Sequence, residues 1–467
     1  MDLGESMLKL HILASKNVLA AVVVVFLIVL EEVVGLPGLG LSKAQEIAAI
    51  IVVIAAILWV SEWVPLYVVS FLILSLELIW LGPELNASGQ SVASSVFFSA
   101  FFSDIILLFM GGFVLSSLMQ KYGLDLRFAQ SILDRTHGNA QATLLGIIFA
   151  CAFLSMWISN TATTAMMLTI VFPLLKKMPV EHPFRIALVL SIPFACNIGG
   201  IATPIGTPPN AIALSYLNKA GISISFAKWM LLTLPFVLAL LAILWFLLLR
   251  LYPAKSIVLS IESRETGRFG PNHLAALSIF ALTALGWLFS TQLGVTTGTV
   301  ALFPLVVCFW FGLLDTSDFR KLPWDILYII SGGLALGVAL SATGLGEVLV
   351  AQLPENARLL FILGVLTAAV MSTVMSNTAT AGLIIPLVIA LDTENSFLIT
   401  LVLALAMSCS LAMALPVTTP PNAIAFSSRA LTSRDMILAG GIMTVIGLLV
   451  VLVAGPLYWG LFTRTGA

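Results

Sequence analysis

The sequence predicts an all-α polytopic membrane protein built from two inverted repeats. Two observations carry this. Hydrophobic residues make up 60% of the 467 and charged residues only 9%, a balance no ordinary soluble domain has. A pair of polar motifs is also written twice. The run Ser159-Asn160-Thr161-Ala162-Thr163 returns as Ser376-Asn377-Thr378-Ala379-Thr380, and Thr207-Pro208-Pro209-Asn210-Ala211-Ile212-Ala213 returns as Thr419-Pro420-Pro421-Asn422-Ala423-Ile424-Ala425. Both interrupt stretches that need only be unbroken helix if they merely crossed lipid. Paired interruptions at matching places in two halves point to a transporter's binding site.

Taken in order, apolar segments of crossing length lie at 17–36, 45–61, 64–82 and 104–120. A long uncharged region, 138–175, follows, then 184–217, 229–251, 273–290, 295–314 and 325–350. A second uncharged region, 359–390, precedes 396–428 and 436–463. A span needs roughly 20 apolar residues. Each long uncharged region is either two crossings or one re-entrant hairpin, and both return the chain to the side it left. Eleven other crossings remain. Lys9 and Lys16 precede the apolar run 17–30 with no small-x-small cleavage site after it, so residues 1–44 read as a first transmembrane helix and not a signal peptide. With the N-terminus in the cytoplasm, sixteen of the 21 lysines and arginines fall inside; Lys43, Lys219, Lys228, Arg358 and Arg464 fall outside. That bias orients the chain with its C-terminus outside.

The duplication extends beyond the motifs. Asp104, Gly111-Gly112 and Gly123-Leu124 match Asp325, Gly332-Gly333 and Gly344-Leu345 at a constant offset of 221. The offset falls to 217 at the Ser-Asn-Thr runs and 212 at the Thr-Pro-Pro-Asn runs, as small loop deletions produce. The repeats are 45–252 and 273–467, joined by a polar cytoplasmic linker, 253–272, that carries Arg264, Glu265 and Arg268. Each repeat has five crossings, and an odd number inverts the second copy. Asp104 and Asp325 read as carboxylates at helix N-termini.

A Ser-Asn-Thr run at a hairpin tip brings hydroxyls, amides and free backbone groups into a region where they need partners. The second arm's N-terminus suits an anion and the first arm's carbonyls suit a cation. Pro208-Pro209 and Pro420-Pro421 remove N–H donors and split each helix near mid-membrane. This makes the carbonyls of Gly206 and Thr418 candidate cation ligands and the hydroxyls of Thr207 and Thr419 candidate substrate ligands. Ser155 and Ser372 lie one helical turn before the Ser-Asn-Thr runs, on the same face, and are further cation-ligand candidates. Neutral oxygen ligands suit a hard monovalent ion better than a transition metal. No charged residue lies in 138–175 or 186–218, so helix ends, hydroxyls and co-bound cations would hold an anion. Glu62 and Glu77, in the early helices, read as interfacial or oligomer-contact residues. The histidines His11, His137, His182 and His273 fall in loops or at segment ends, against a proton relay. The cysteines Cys151, Cys196, Cys308 and Cys409 form neither a disulfide framework nor a zinc pattern. A net charge of −1 points to no nucleic-acid partner.

At these residues the chain resembles the divalent anion/sodium symporter family of dicarboxylate and citrate carriers. The resemblance rests on Ser159-Asn160-Thr161, Ser376-Asn377-Thr378 and the runs Gly206-Thr207-Pro208-Pro209-Asn210 and Thr418-Thr419-Pro420-Pro421-Asn422. It implies eleven helices plus two re-entrant hairpins, 138–175 and 359–390, and broken helices 184–217 and 396–428. It also implies a homodimer in which hairpins and helices 5, 6, 10 and 11 slide as an elevator against a scaffold of helices 1–4 and 7–9. Carried over, it implies substrate contacts from Ser159, Asn160, Thr161, Thr207, Pro208, Ser376, Asn377, Thr378, Thr419 and Pro420. It implies one sodium site at Ser155, Ser159, Asn160 and Gly206, and another at Ser372, Ser376, Asn377 and Thr418.

The function expected is sodium-coupled symport of C4-dicarboxylates such as succinate, malate or fumarate across a bacterial inner membrane. Sodium-independent dicarboxylate exchange, or carriage of citrate or sulfate, is the alternative. An embedded enzyme is disfavoured by the lack of HExxH, GxSxG or paired intramembrane carboxylates. A channel is disfavoured by inverted repeats with broken helices.

Overall fold

The computed structural model describes residues 3–36, 40–89, 92–255, 257, 259, 268–354, 356–391 and 394–463, the side chains from Ser15 to Phe462. Arg264, Glu265 and Arg464 lie outside the described residues. Every regular element among those described is helical. The first repeat is preceded by α1 (Leu3–Val34) and opens with α2 (Lys43–Ser61), α3 (Leu66–Ala87), α4 (Asp104–Lys121) and α5 (Leu124–Asp134). It continues with α6 (Ala140–Ser155), α7 (Asn160–Lys176), α8 (Phe184–Gly200), α9 (Pro208–Lys219) and α10 (Phe226–Leu251). The second has α11 (Pro271–Leu288), α12 (Thr297–Trp310), α13 (Trp324–Thr343), α14 (Leu345–Val350) and α15 (Ala357–Val374). It ends with α16 (Asn377–Ile389), α17 (Asn395–Ser410), α18 (Pro420–Ser427) and α19 (Ser433–Thr463). Nine helices among the described residues are long and apolar enough to cross a membrane, and five shorter apolar helices include α6, α8, α16 and α17.

Local chemistry sets the boundaries. Ser42 caps α2 through a reciprocal pair with Gln45: the Ser42 hydroxyl accepts the Gln45 N–H, and the Gln45 side chain accepts the Ser42 N–H. Such a capping box satisfies two orphan donors at once. Inside α3 a π-turn at Glu77–Leu81 precedes Pro83; proline cannot donate to the carbonyl four residues back, and a wider turn absorbs the defect. Pro208 and Pro420 open α9 and α18 at the first helical position, where a missing N–H costs nothing.

Packing repeats along with sequence. Helices α4 and α12 cross at Gly111, where an added Cβ would lie 2.6 Å from the Ala301 Cβ; α13 and α3 cross at Gly332, where it would lie 2.9 Å from the Ser70 Cα. Gly111 and Gly332 are repeat mates, and small residues at such crossings let helices approach in lipid. The repeats also interlock: α9 packs on α16, and α18 on α7. Each half-helix of one repeat thus lies against the hairpin arm of the other.

Two expectations are corrected here and one is extended. Glu77, the first residue of the π-turn, is fully buried within the chain rather than at an interface. Asp104 lies in the first turn of α4, as expected, and its carboxylate also accepts from the Thr296 and Thr297 hydroxyls and the Gly298 N–H, at the start of α12. His11 lies within α1, ahead of the apolar stretch that begins at Ser15.

Candidate functional site

The four interruptions converge. Ser155 ends α6 and Ser159 precedes α7, so Ser155 and Asn160 face each other across the gap. The Ser155 hydroxyl donates to the Asn160 Oδ1 and also reaches the Cys196 carbonyl at 2.9 Å. The second copy reproduces this: Ser372 reaches the Asn377 Oδ1 at 2.7 Å and the Cys409 carbonyl at 2.7 Å. Each serine thereby fastens a tip to the helix just before its break. The tips therefore share the depth of the breaks.

The asparagine of each Thr-Pro-Pro-Asn run explains how an unwound stretch survives in an apolar interior. Asn210 Nδ2 lies within hydrogen-bond reach of the carbonyls of Gly200 (3.0 Å), Ile201 (3.3 Å) and Thr203 (2.8 Å). Asn422 Nδ2 likewise reaches the carbonyls of Met413 (3.2 Å) and Leu415 (3.1 Å) and the Thr418 hydroxyl (3.1 Å). Carbonyls released from a helix end need such donors when buried. Neither asparagine was among the expected site residues, although both stood in the quoted motifs.

In the first copy two glycines close the geometry. A Cβ on Gly200 would lie 2.9 Å from the Asn160 Oδ1 and 3.0 Å from the Gly206 carbonyl; one on Gly206 would lie 2.8 Å from the Gly200 Cα. The Asn160 amide oxygen, the Ser155 hydroxyl and the Gly206 carbonyl thus share one small neighbourhood of neutral oxygens. Such oxygens suit a hard cation. In the second copy Thr418 stands where Gly206 stands, and its hydroxyl donates to the Leu415 carbonyl. The two cradles are related but not identical.

The residues expected to contact substrate are half-buried at both tips: Ser159, Asn160, Thr161, Ser376, Asn377 and Thr378. Ser376 caps α16 by accepting the Ala379 N–H, whereas Ser159 makes no such cap. Thr207 and Thr419 are both buried and precede Pro208 and Pro420 at their helix N-termini. Thr163, Thr164 and Thr380, in the first turns of α7 and α16, carry buried hydroxyls with no partner among the described residues. The four cysteines are buried and free.

One residue was missed altogether. Asn197, in α8, is 2% exposed and donates to the Thr419 hydroxyl at 3.3 Å and to the Asn422 Oδ1 at 3.3 Å. It joins the first repeat to the second break. A single asparagine in an apolar run, without a duplicate, gave no signal.

Comparison with known proteins follows the same lines. Residues 14–464 match the family described as the sodium:sulfate symporter transmembrane region. A sodium-dependent dicarboxylate transporter, SdcS, of Staphylococcus aureus is 31% identical over 446 residues, covering 86% of this chain and 84% of that protein. An uncharacterized transporter of Schizosaccharomyces pombe is 31% identical over 460 residues; these are 94% of this chain but 52% of the yeast protein, so the chain spans about half its length. Among solved structures, the YdaH transporter of Alcanivorax borkumensis superposes with a TM-score of 0.51 at 11% identity, covering 82% of this chain and 90% of that one, a likeness of fold alone. The chain belongs to the sodium:sulfate symporter family, the divalent anion/sodium symporters, and is a multi-pass membrane transporter rather than an enzyme.

Proposed function

We propose that this transporter couples sodium to the symport of C4-dicarboxylates such as succinate, malate and fumarate across a bacterial cytoplasmic membrane. The observation that carries the reading is the duplicated contact of Ser155 with Asn160 and of Ser372 with Asn377, with the Gly206 carbonyl beside the first pair; Thr418, the repeat mate of Gly206, is the ligand we assign beside the second. Two neutral oxygen clusters take one sodium ion each, with Ser159 and Ser376 completing them. Between them, the N-termini of α7 and α16 turn N–H groups, and Thr207 and Thr419 at the starts of α9 and α18 turn hydroxyls, toward the two ends of a dicarboxylate. The bound cations supply the positive charge that side chains do not. The SdcS relative, named as a sodium-dependent dicarboxylate transporter, supports the same choice.

The topology we propose has eleven crossings and two re-entrant hairpins, α6–α7 and α15–α16, with the N-terminus inside and the C-terminus outside. The shared depth of tips and breaks supports re-entry. We propose an elevator motion in a homodimer, and a departure from repeat symmetry within the chain supports the motion. Gly333 of α13 lies against Gly382 of the second hairpin and accepts the Tyr216 hydroxyl at its carbonyl, 2.7 Å away. Its mate Gly112 meets Ile205 of the first break instead. Ile205 is 8% exposed, and its mate Val417 is 79% exposed. These unequal contacts support a hairpin unit that sits off-centre.

Ligands that bind only the folded state raise the unfolding temperature by mass action. The purified protein is expected to gain thermal stability from sodium, and succinate is expected to add to it only when sodium is present. Equal stabilisation by succinate in potassium would count against coupling.

A further inference from the structure

Resting on that reading of the site, we propose that Asn197 is a positioning residue that locks the Thr419 hydroxyl as an obligate hydrogen-bond donor, making that hydroxyl a contact for anions only.

The chain of orientation runs without a free choice. Asn422 Nδ2 is surrounded by the Met413 and Leu415 carbonyls and the Thr418 hydroxyl. A carboxamide facing carbonyls must present its NH2 to them. Its Oδ1 is therefore the atom turned to Asn197, and Asn197 must answer with its own NH2. That NH2 also lies 3.3 Å from the Thr419 oxygen. The Asn422 backbone N–H donates to the same oxygen at 3.3 Å, the N-cap bond of α18. A threonine hydroxyl has two acceptor lone pairs and one hydrogen. With both lone pairs taken by N–H donors, Thr419 retains only its hydrogen, which it gives to no described residue. It can bind an acceptor and nothing else. An ionised carboxylate is acceptor-only; a hydroxyl or a protonated carboxyl that donates finds no lone pair there.

The first repeat lacks the device. Ser155 and Ser372 mark Cys196 and Cys409 as mates, so the mate of Asn197 is Ser410, whose hydroxyl turns back to the Ala406 carbonyl. Accordingly the Asn210 Oδ1 is buried without a partner among the described residues, and Thr207 makes no side-chain cap. The Thr207 hydroxyl is free to donate or accept. The two ends of the substrate thus meet different chemistry in a site whose sequence is nearly symmetric.

The test is a double-mutant cycle on the full-length purified protein, read as the half-saturating succinate concentration in sodium. Asn197→Ala is expected to weaken succinate about tenfold, the range of one hydrogen bond to a charged group, with maximal uptake within about twofold. Thr419→Val is expected to weaken it at least as much. Adding Asn197→Ala to Thr419→Val is expected to cost less than about twofold, because the lock has nothing left to hold. Multiplying losses would overturn the proposal, since a packing role acts whether or not Thr419 is present. If the alanine variant does not fold, Asn197→Leu keeps the volume while removing the donor. Its loss must likewise vanish beside Thr419→Val, whereas a packing effect would persist. If the wild type ignores succinate but binds sulfate or citrate, the dicarboxylate reading fails and the same cycle, run with that anion, still decides the lock. Binding of none of these anions overturns both.

Discussion

Replacing Gly206 with alanine tests the first cradle directly. The new Cβ would lie 2.8 Å from the Gly200 Cα, whereas carbon atoms rest at about 3.5–4.0 Å. The two backbone segments must part by about 1 Å. Gly200 cannot yield toward Asn160, because its own Cβ direction already ends 2.9 Å from the Asn160 Oδ1. A preorganised ligand set tolerates about 0.5 Å, so the Gly206 carbonyl leaves register with Asn160 and Ser155. Overpacking of this kind costs about 1–3 kcal/mol. If about 2 kcal/mol falls on the ion-bound state, sodium affinity drops roughly 30-fold. The assay is the sodium dependence of thermal stability, repeated as the sodium dependence of uptake at saturating substrate. Gly441→Ala is the control: nothing lies within 4 Å of its added Cβ, and sodium dependence is expected to stay as in the wild type. A Gly206→Ala protein with unchanged half-saturating sodium would refute the assignment of the Gly206 carbonyl.

Asp104→Asn removes the charge from a carboxylate that accepts from Thr296, Thr297 and Gly298; about 1–2 kcal/mol of stability should be lost with little change in substrate affinity, measured by thermal unfolding beside succinate titration. Low pH should destabilise the loop that follows α12. Backbone N–H groups of Asp318 and Ser317 hold the Asp315 carboxyl below its usual range; at Asp318 burial pushes upward, but the Lys121 ammonium, 2.6 Å away, and the Asp315 N–H outweigh it and leave that carboxyl depressed too. Depressed folded-state values mean that the stabilisation is complete above the ordinary value of 3.8, declines as pH falls from there, and is gone below the folded-state values. Unfolding followed from about pH 5 to about pH 3 should show it, and Lys121→Met should flatten the trend. Gly382→Val should overpack the contact with Gly333, where the added Cβ already lies 3.1 Å from the Gly333 Cα. A cost of about 2 kcal/mol to this state shifts the population roughly 30-fold toward others. Because the native thiols are buried, thiol labelling of Val417→Cys should report it as slower reaction in the Gly382→Val background.

The breaks and tips were legible because their cause is local. Proline cannot continue a helix, and polar side chains do not sit idle in lipid, so Pro208, Pro420, Asn160 and Asn377 announced themselves and the duplication confirmed them. Cross-chain placement was not legible. Asn197 is matched in the other repeat by Ser410 and not by a second asparagine, so the duplication drew no attention to it, and its role depends on the second break lying beside α8. Asp104 stood at a helix start, where its own helix is the simplest partner; only the close crossing of α4 and α12 brings Thr296 within reach. Glu77 looked peripheral because a π-turn cannot be read from hydropathy. The off-centre position we propose for the hairpin unit is a conformational choice between nearly symmetric alternatives, and Ile205 and Val417 are both plain aliphatic residues in sequence.

The central claim is sodium-coupled carriage of a dicarboxylate through the duplicated cradle. The measurement that tests it most directly is uptake of labelled succinate into liposomes containing the purified protein, with and without an inward sodium gradient. Accumulation against the succinate gradient, driven by sodium and lost when potassium replaces it, is the predicted result. Uptake that ignores sodium and requires liposomes preloaded with dicarboxylate would contradict the account and make the protein an exchanger.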